Sequence, residues 1–457
     1  MSAAGTAGEH APIRSAAAMS RAETFFLLFV LIIPIAASPP MRAHIVELPG
    51  AKLFNLVGAA FALSFLFGRS RLLSASDRLE RNSLLLFAAY LSILIVDVLR
   101  SLPHVKKFHE MAPDSFAAGA VEYVQSELIV PLVIALMFVF ALKRVRTADA
   151  MAQFLRALGI SIFVLSCVVI VAVASRPEVY ADPNRFAMAN LMTDVLGMHY
   201  NDVGTIYIIA GPVLLYLALT RGSFWSANYL LALLAVTMLE SRTALLIFVG
   251  TSAATLVALG RARTLVAMAP PLALVAVVAA GPLLIQLFTM GFTEHSGLSL
   301  DAFLSGREGR IWLPLMVEWW SDPQRFWFGA GEHGILTSFM LASGAMLEAG
   351  HSHNAFLDFF LDNGIVLEGV LVVSVISFIV WGWRAGRRLE NPLYWTLYLC
   401  VISFLIAAMT GRRFHPEIEN ALLFPILALM LNLVRRQSKA VPDAAAGKRI
   451  RARSAGA

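Results

Sequence analysis

The chain has 457 residues, of which 58% are hydrophobic and only 14% charged, with a mean hydropathy of +0.73. Soluble chains carry about 25% charged residues, so this composition excludes an ordinary soluble domain and points to an integral membrane protein. The formal net charge of +6 does not imply nucleic acid, because basic residues in a membrane protein mark its cytoplasmic loops. Cys167 and Cys400 both lie in apolar runs, so neither a disulfide framework nor a Cys-x-x-Cys metal site is readable.

Residues 1–23 are polar and Ala-rich and are expected to be a cytoplasmic tail. The apolar run behind them lacks a small-residue cleavage site and reads as a retained first helix. Apolar runs that span, or nearly span, a bilayer follow at 24–40, 53–68, 83–100, 124–142, 153–174 and 203–219, then at 264–288, 364–383, 393–411 and 418–434. Between them, 227–259 is too long for one span, which needs about 20 residues, and is interrupted by Glu240-Ser241-Arg242. It is one long helix or a pair meeting at that triplet.

Charge decides for the pair. With twelve spans, every short basic cluster falls on the side of the N-terminus: Arg69 to Arg81, Lys143 to Arg146, Arg261 and Arg263, Arg384 to Arg388, and the tail from Arg435. The positive-inside rule makes that side cytoplasmic. The expected fold is therefore all-α and polytopic, with about twelve transmembrane helices. Its parts are the tail 1–23, nine helices over 24–288, a large outer loop at 289–353, a last group of helices over 354–434, and a basic tail at 435–457.

The large loop has structure of its own. Ser305-x-x-Glu308 reads as a capping box. Behind it, Ile311, Trp312, Leu315, Met316, Trp319 and Trp320 share one helical face, and Asp322-Pro323 ends that helix. An aromatic amphipathic helix of this kind is expected along the outer leaflet.

Chemistry-bearing residues collect on the same side. Arg242 is either a local partner of Glu240 or an arginine at membrane depth that binds an anion. Arg307 and Arg310, at the start of the amphipathic helix, have the planar fork that matches phosphate oxygens, beside the free N–H groups of a helix N-terminus. His351 and His353 are candidates for proton transfer. Asn354 is expected to cap the next helix. Asp358 and Asp362, one turn apart on the face of Asn354, either orient a histidine or face water, and the solvated reading is favoured. Asn201-Asp202 opens the 203–219 span as an N-cap, and Arg412, Arg413, His415 and Glu417 read as interfacial anchors that could join a polar rim. His-x-His has no third ligand at a recognised spacing, so no metal site is expected. Walker, dinucleotide, Gly-x-Ser-x-Gly and His-Glu-x-x-His motifs are not found in the sequence.

Ser241-Arg242, then Ser305-Gly306-Arg307 before Trp312, then Phe-Gly-x-Gly at 328–331, then His351-Ser352-His353-Asn354 with Asn363-Gly364 behind it, together resemble the bacterial O-antigen ligase and O-antigen polymerase superfamily. The resemblance covers about 185–385, and His-Asn-x-x-Leu is its most specific part. It implies a metal-independent, inverting glycosyltransferase without cofactor, on the periplasmic face of the inner membrane. The implied donor is a glycan on undecaprenyl diphosphate. The implied acceptor is lipid A-core for a ligase, or a lipid-linked glycan for a polymerase. It further implies that Arg242 and Arg307 hold the diphosphate, to which the residue reading adds Arg310. One of the two histidines would assist the acceptor hydroxyl; His353 matches the motif position best, with His351 and Asn354 positioning it, and Asn201 matches a family Asn loosely. A transporter or flippase is the alternative reading of so many helices. It is disfavoured because the apolar runs are nearly free of charge, Asp97 and Glu127 apart.

Overall fold

The computed structural model describes residues 20–42, 53–67, 75, 77–111, 116, 119–182, 186–261, 263, 311–342, 351–411 and 413–437. The 264–288 span, the tails 1–19 and 438–457, and the parts 289–310 and 343–350 of the 289–353 loop lie outside them.

Among the described residues the fold is helical, with no strand. Helices of six residues or more are numbered here. They are α1 (Arg21–Ile32), α2 (Leu53–Leu66), α3 (Arg78–Met111), α4 (Ala120–Arg144), α5 (Ala148–Ser175), α6 (Phe186–Leu196) and α7 (Tyr200–Arg221). They continue with α8 (Ser223–Met238), α9 (Arg242–Ala258), α10 (Leu313–Ser321), α11 (Pro323–Phe328), α12 (Ala355–Leu389), α13 (Pro392–Ala408) and α14 (423–437). Helices α3, α4, α5, α7 and α12 are long and apolar enough to cross a membrane.

The two-helix alternative for 227–259 is the one observed. Helix α8 ends at Met238, and Glu240 turns the chain with φ 53° before α9 starts at Arg242. At 1.5 Å per residue each arm is about 24–26 Å long.

Helix α7 is the hub, with 78% of its apolar window buried, against α8, α9 and α13. Gly204 lets α9 approach, since a Cβ there would meet Ala244 Cβ at 2.7 Å. Helices α1, α2, α4 and α5 join through stacked rings, Phe26 lying 4.5 Å from Phe140 and 6.0 Å from Phe154. By contrast, only 6% of the apolar window of α12 is buried. Val366, Val370, Val373, Ile376 and Val380 point outward from it. An apolar surface of this length needs an apolar solvent, which a bilayer supplies.

Two polar clusters mark the two ends of α3. At its start, Glu80 is fully buried and accepts from Lys143, Arg146 and Arg435, each at 2.8 Å. Arg435 also holds Asp77 at 2.8 Å, so this residue belongs to a buried cluster and not to a solvated tail. The start of α3, the end of α4 and the end of α14 therefore share one end. Glu80→Gln should lower stability by about 2–3 kcal/mol, because hydrogen bonds to charged groups are worth that much when buried. Thermal unfolding of the two proteins in detergent checks it. A loss below about 1 kcal/mol, the worth of an exposed ion pair, would mean that water reaches the cluster.

At the other end of α3, a smaller core of Val98, Phe108, Tyr123, Ile311, Leu315, Trp319 and Leu361 joins α3, α4, α10 and α12. The inward stripe of the amphipathic segment is narrower than its pattern suggests. Ile311, Leu315 and Trp319 are buried, while Met316 and Trp320 face out with Leu313 and Val317. The indoles of Trp312 and Trp319, two turns apart, donate to Ser352 O (2.7 Å) and Leu361 O (3.1 Å). They fasten this segment along the start of α12. Asp322 breaks the helix as expected, and its side chain caps α11 through the N–H groups of Gln324 and Arg325.

Helix α12 kinks at Gly364, whose φ of 78° and ψ of 175° suit glycine alone. Gly329 (φ 68°) interlocks with it. A Cβ on Gly329 would strike the Asp362 backbone, and one on Gly364 would strike the Trp327 carbonyl. This contact fixes the loop after α11 against the first turns of α12.

Candidate active site at the ends of three helices

The turn before α12 is held from both sides. Ser352 N–H donates to Asp358 Oδ1 (2.7 Å), and the Ser352 hydroxyl bridges the Asn354 backbone, donating to its O (2.9 Å) and accepting from its N–H (3.2 Å). Asn354 caps α12 as expected, its Oδ1 accepting from the N–H groups of Phe356 and Leu357. His353 sits in the left-handed region at φ 62°. Its N–H donates to His351 Nδ1 at 3.1 Å, and the two rings lie 4.1 Å apart. The turn therefore presents both histidines together. Gly411 lies against His353, which brings the loop after α13 to the same place.

Asn201 and Arg242 form a second group. The cap of α7 is His199, in a reciprocal box with Asp202, and not Asn201. That leaves the Asn201 amide for another partner: its Oδ1 accepts from the Ser241 hydroxyl at 2.7 Å. Ser241 is buried and Arg242, half-buried, opens α9. Thus α7 and α9 start at the same end. Glu417, in the loop after α13, feels the charge of Asp202 at the start of α7. Burial raises its pKa, its hydrogen bond with Glu419 and the charge of Arg413 oppose that, and repulsion from Glu127 and Asp202 adds to it. Arg307 and Arg310 lie outside the described residues, as do Ser305 and Glu308.

Behind the histidine turn is a buried ionic cluster that the sequence did not reveal. Asp358 and Asp362 are buried, 4% and 7% exposed, and do not face water. Their partners come from distant segments: Asp362 Oδ1 accepts from Gly334 N–H at 2.7 Å. Arg413, read as an interfacial anchor, is instead the cluster's central cation. Its Nη1 donates to Glu332 Oε1 (3.0 Å) and to His333 Nδ1 (2.8 Å). His415 Nδ1 meets Glu332 Oε2 at 3.3 Å. Arg100 donates to the carbonyls of Phe328 (2.7 Å) and Gly329 (2.6 Å) and lies 3.7 Å from Asp97. The cue available in the sequence was the pair of glycines directly before Glu332-His333, beside a short loop dense in charge at 411–417.

These contacts fix the state of both buried histidines. A guanidinium only donates, so His333 Nδ1 accepts and its proton sits on Nε2, which donates to Glu127 Oε2 at 3.1 Å. Glu127 reaches it from a π-helical turn, Gln125–Ile129. Burial, then Arg413, lowers the His333 pKa despite Glu127. Burial opposes charge on His415 too, but Glu332 overcomes it and holds that pKa above the usual range.

Opposite shifts make stability bell-shaped in pH. The unfolded value for both is about 6.5. Below it, the unfolded chain binds the His333 proton and the folded chain resists it, so stability falls as pH falls through the folded His333 pKa. Above it, the folded chain keeps the His415 proton that the unfolded chain has lost, so stability falls as pH rises through the folded His415 pKa. Unfolding midpoints measured from pH 5 to pH 9 should peak near 6.5. His333→Asn should flatten the acid limb and His415→Asn the alkaline limb; a variant that leaves its own limb unchanged would contradict the assignment.

Among the described residues, no three His, Cys, Asp or Glu side chains are grouped as metal ligands. No protein-family model matches the chain, and neither does any curated protein.

Proposed function

We propose that the protein is a membrane glycosyltransferase of the O-antigen ligase and polymerase type. In this reading twelve helices cross the inner membrane, both termini are cytoplasmic and the 289–353 loop is periplasmic. The observation that carries it is the arrangement at one end of an apolar bundle: a braced His351–His353 turn on the same side as Arg242, with Asn201 tied to Ser241.

The chemistry follows from those groups. Arg242, with Arg307 and Arg310 from the loop, would hold the diphosphate of an undecaprenyl-linked glycan, so that charge developing on the leaving group is met by fixed cations. The acceptor hydroxyl oxygen bonds to the anomeric carbon as the bond to the diphosphate oxygen breaks. His353 takes the hydroxyl proton, and attack from the opposite face inverts configuration. Asn354 and His351 hold the turn. The exposed Leu313, Met316, Val317 and Trp320 suit a segment lying in the outer leaflet, where the lipid tail of the donor would enter.

The buried acids revive the transporter alternative, because ionisable groups in apolar helices often serve transport. Depth argues against it. Glu80 and Asp97 are seventeen residues apart on α3, about 26 Å of rise, so the second cluster lies across the hydrocarbon thickness from the first and not at the midplane where transporters bind.

The test is the surface and lipid-linked glycan of a deletion strain, resolved on gels. Loss of the long-chain ladder with single repeats retained identifies a polymerase. Full-length chains left on the lipid carrier, with bare lipid A-core, identify a ligase. An unchanged pattern counts against the proposal.

A further inference from the structure

A cavity of about 40 Å³ lies beneath the histidine turn, among Tyr90, Asp358, Asp362, Arg413 and His415. Four buried polar atoms on residues that line it have no hydrogen-bond partner: Asp358 Oδ2, Asn363 Oδ1, Arg413 Nη2 and His415 Nε2. Their other atoms are engaged. Asp358 Oδ1 accepts from Ser352 N–H, Arg413 Nη1 donates to Glu332 and His333, and His415 Nδ1 contacts Glu332. Arg413 Nη2 has Asp362 Oδ2 at 3.9 Å, beyond hydrogen-bond range. The Ser352 hydroxyl lies beside Asp358 but donates to Asn354 O. Asp358 and His415 are more than nine-tenths buried, at 4% and 8% exposure.

Each such orphan costs about 1–3 kcal/mol, so four around one cavity mark a place where a ligand completes the bonding. Their sense is specific. Arg413 Nη2 donates, as does Nε2 of the protonated His415 that Glu332 favours, and Asp358 Oδ2 and Asn363 Oδ1 accept. A hydroxyl meets both donors with its two lone pairs and one of the acceptors with its proton. A phosphate or carboxylate would meet the Asp358 carboxylate, and an ammonium would meet two cationic donors. One water needs about 10–15 Å³ of such space, so the cavity admits a CHOH or CH₂OH group and not a whole sugar ring.

We infer that this cavity is a specificity subsite that takes a hydroxyl or hydroxymethyl group of the acceptor glycan, next to the hydroxyl that reacts. The inference rests on the glycosyltransferase reading for its ligand; the hydroxyl chemistry rests on the cavity alone. Asp358, Arg413 and His415 are positioning residues here, since the reacting atoms belong to His353.

Two substitutions test it while keeping the cavity's supports. Asp358→Asn retains an oxygen for Ser352 N–H and turns the cavity-side acceptor into a donor. His415→Asn keeps an N–H where Nδ1 meets Glu332 and removes the Nε2 donor. Full-length protein in nanodiscs is assayed with an undecaprenyl-diphosphate-linked oligosaccharide as donor, and with lipid A-core or the lipid-linked single repeat as acceptor. Both variants should raise the acceptor KM about tenfold or more, the equivalent of one lost hydrogen bond of about 1.4 kcal/mol, and leave the donor KM unchanged. Equal rises in both KM values, or a fall in kcat alone, would overturn the subsite. If the wild type transfers to neither acceptor, the glycosyltransferase reading fails and the cavity is judged by binding. The ¹⁵N imidazole signal of His415, assigned with His415→Asn, is titrated with glycerol as the smallest polyol probe. A saturable shift in wild type that Asp358→Asn abolishes supports a hydroxyl site. An unmoved signal means a resident water only and overturns it.

Discussion

Replacing His353 with asparagine should lower glycan transfer by about 10²- to 10⁴-fold, the range for losing a general base, with thermal stability almost unchanged. Asparagine is the informative choice because the backbone at 353 has φ 62°, a conformation that asparagine tolerates and alanine resists. His353→Asn keeps the N–H that donates to His351 Nδ1 and leaves the Ser352–Asp358 brace untouched, so it removes the ring and little else. His353→Ala should show the same loss of transfer plus a backbone cost of about 1–2 kcal/mol. His351→Asn should lose less, since His351 acts by holding its neighbour. Initial rates for the three variants decide the matter: a large loss at His351 with near-normal transfer in His353→Asn would move the base to His351. The pH profile adds a second readout. A neutral histidine base predicts activity that falls as it takes up a proton on acidification, and that limb should vanish from the residual activity of His353→Asn. A flat wild-type profile from pH 5 to pH 8 would argue against any histidine base.

Local chemistry was legible in the sequence, and contacts between distant segments were not. The break at Glu240-Ser241-Arg242, the Asn354 cap and the Asp322-Pro323 stop all depend on a few adjacent residues, and each stands where the pattern put it. The long apolar helices were equally plain, because the bilayer-length requirement acts on one segment at a time. Asp358 and Asp362 were misread because two acids one turn apart look like a solvated face. What buries them is Gly334, Gly329 interlocked with the Gly364 kink, and Arg413, and of these only Gly364 is near in sequence. Glu80 is a similar case, since its cation Arg435 is 355 residues away. The face of α10 was drawn too wide for another reason. A helical period marks Met316 and Trp320 as apolar, but an apolar residue is not always a buried one, and these two face out with Leu313 and Val317. Asn201 was placed at the right end with the wrong partner: the cap went to His199, and Asn201 was left to meet Ser241 across two helices.

The largest stability loss is expected from Arg413→Met, about 3–5 kcal/mol. Arg413 is the cation that Glu332, Asp358 and Asp362 share, and these acids hold its own pKa above the usual range against burial. Methionine fills much of the same space but leaves buried carboxylates without a counter-charge, and it removes the donor that keeps His333 Nδ1 satisfied. The pH dependence of the loss separates this cause from simple repacking. Burial alone would raise the Glu332 pKa, but His415 and then Arg413 hold it below the carboxylate range. A carboxylate with a depressed folded pKa contributes stability above its unfolded value, about 4.3, and loses it as pH falls through the folded value. The deficit of Arg413→Met should therefore be greatest near neutral pH and shrink toward pH 4, where the stranded acids take up protons. Adding Glu332→Gln should restore part of the loss, and a double-mutant cycle of unfolding free energies measures the coupling between the two residues. A deficit below about 1 kcal/mol at pH 7, or additive effects in the cycle, would return Arg413 to the role of a solvated anchor. A coupled deficit would mean that the charge balance behind Asp358 is what holds the histidine turn in shape. Transfer in Arg413→Met should then fall even below the temperature at which the protein unfolds, because the Asp358–Ser352 brace loses the cation beside it.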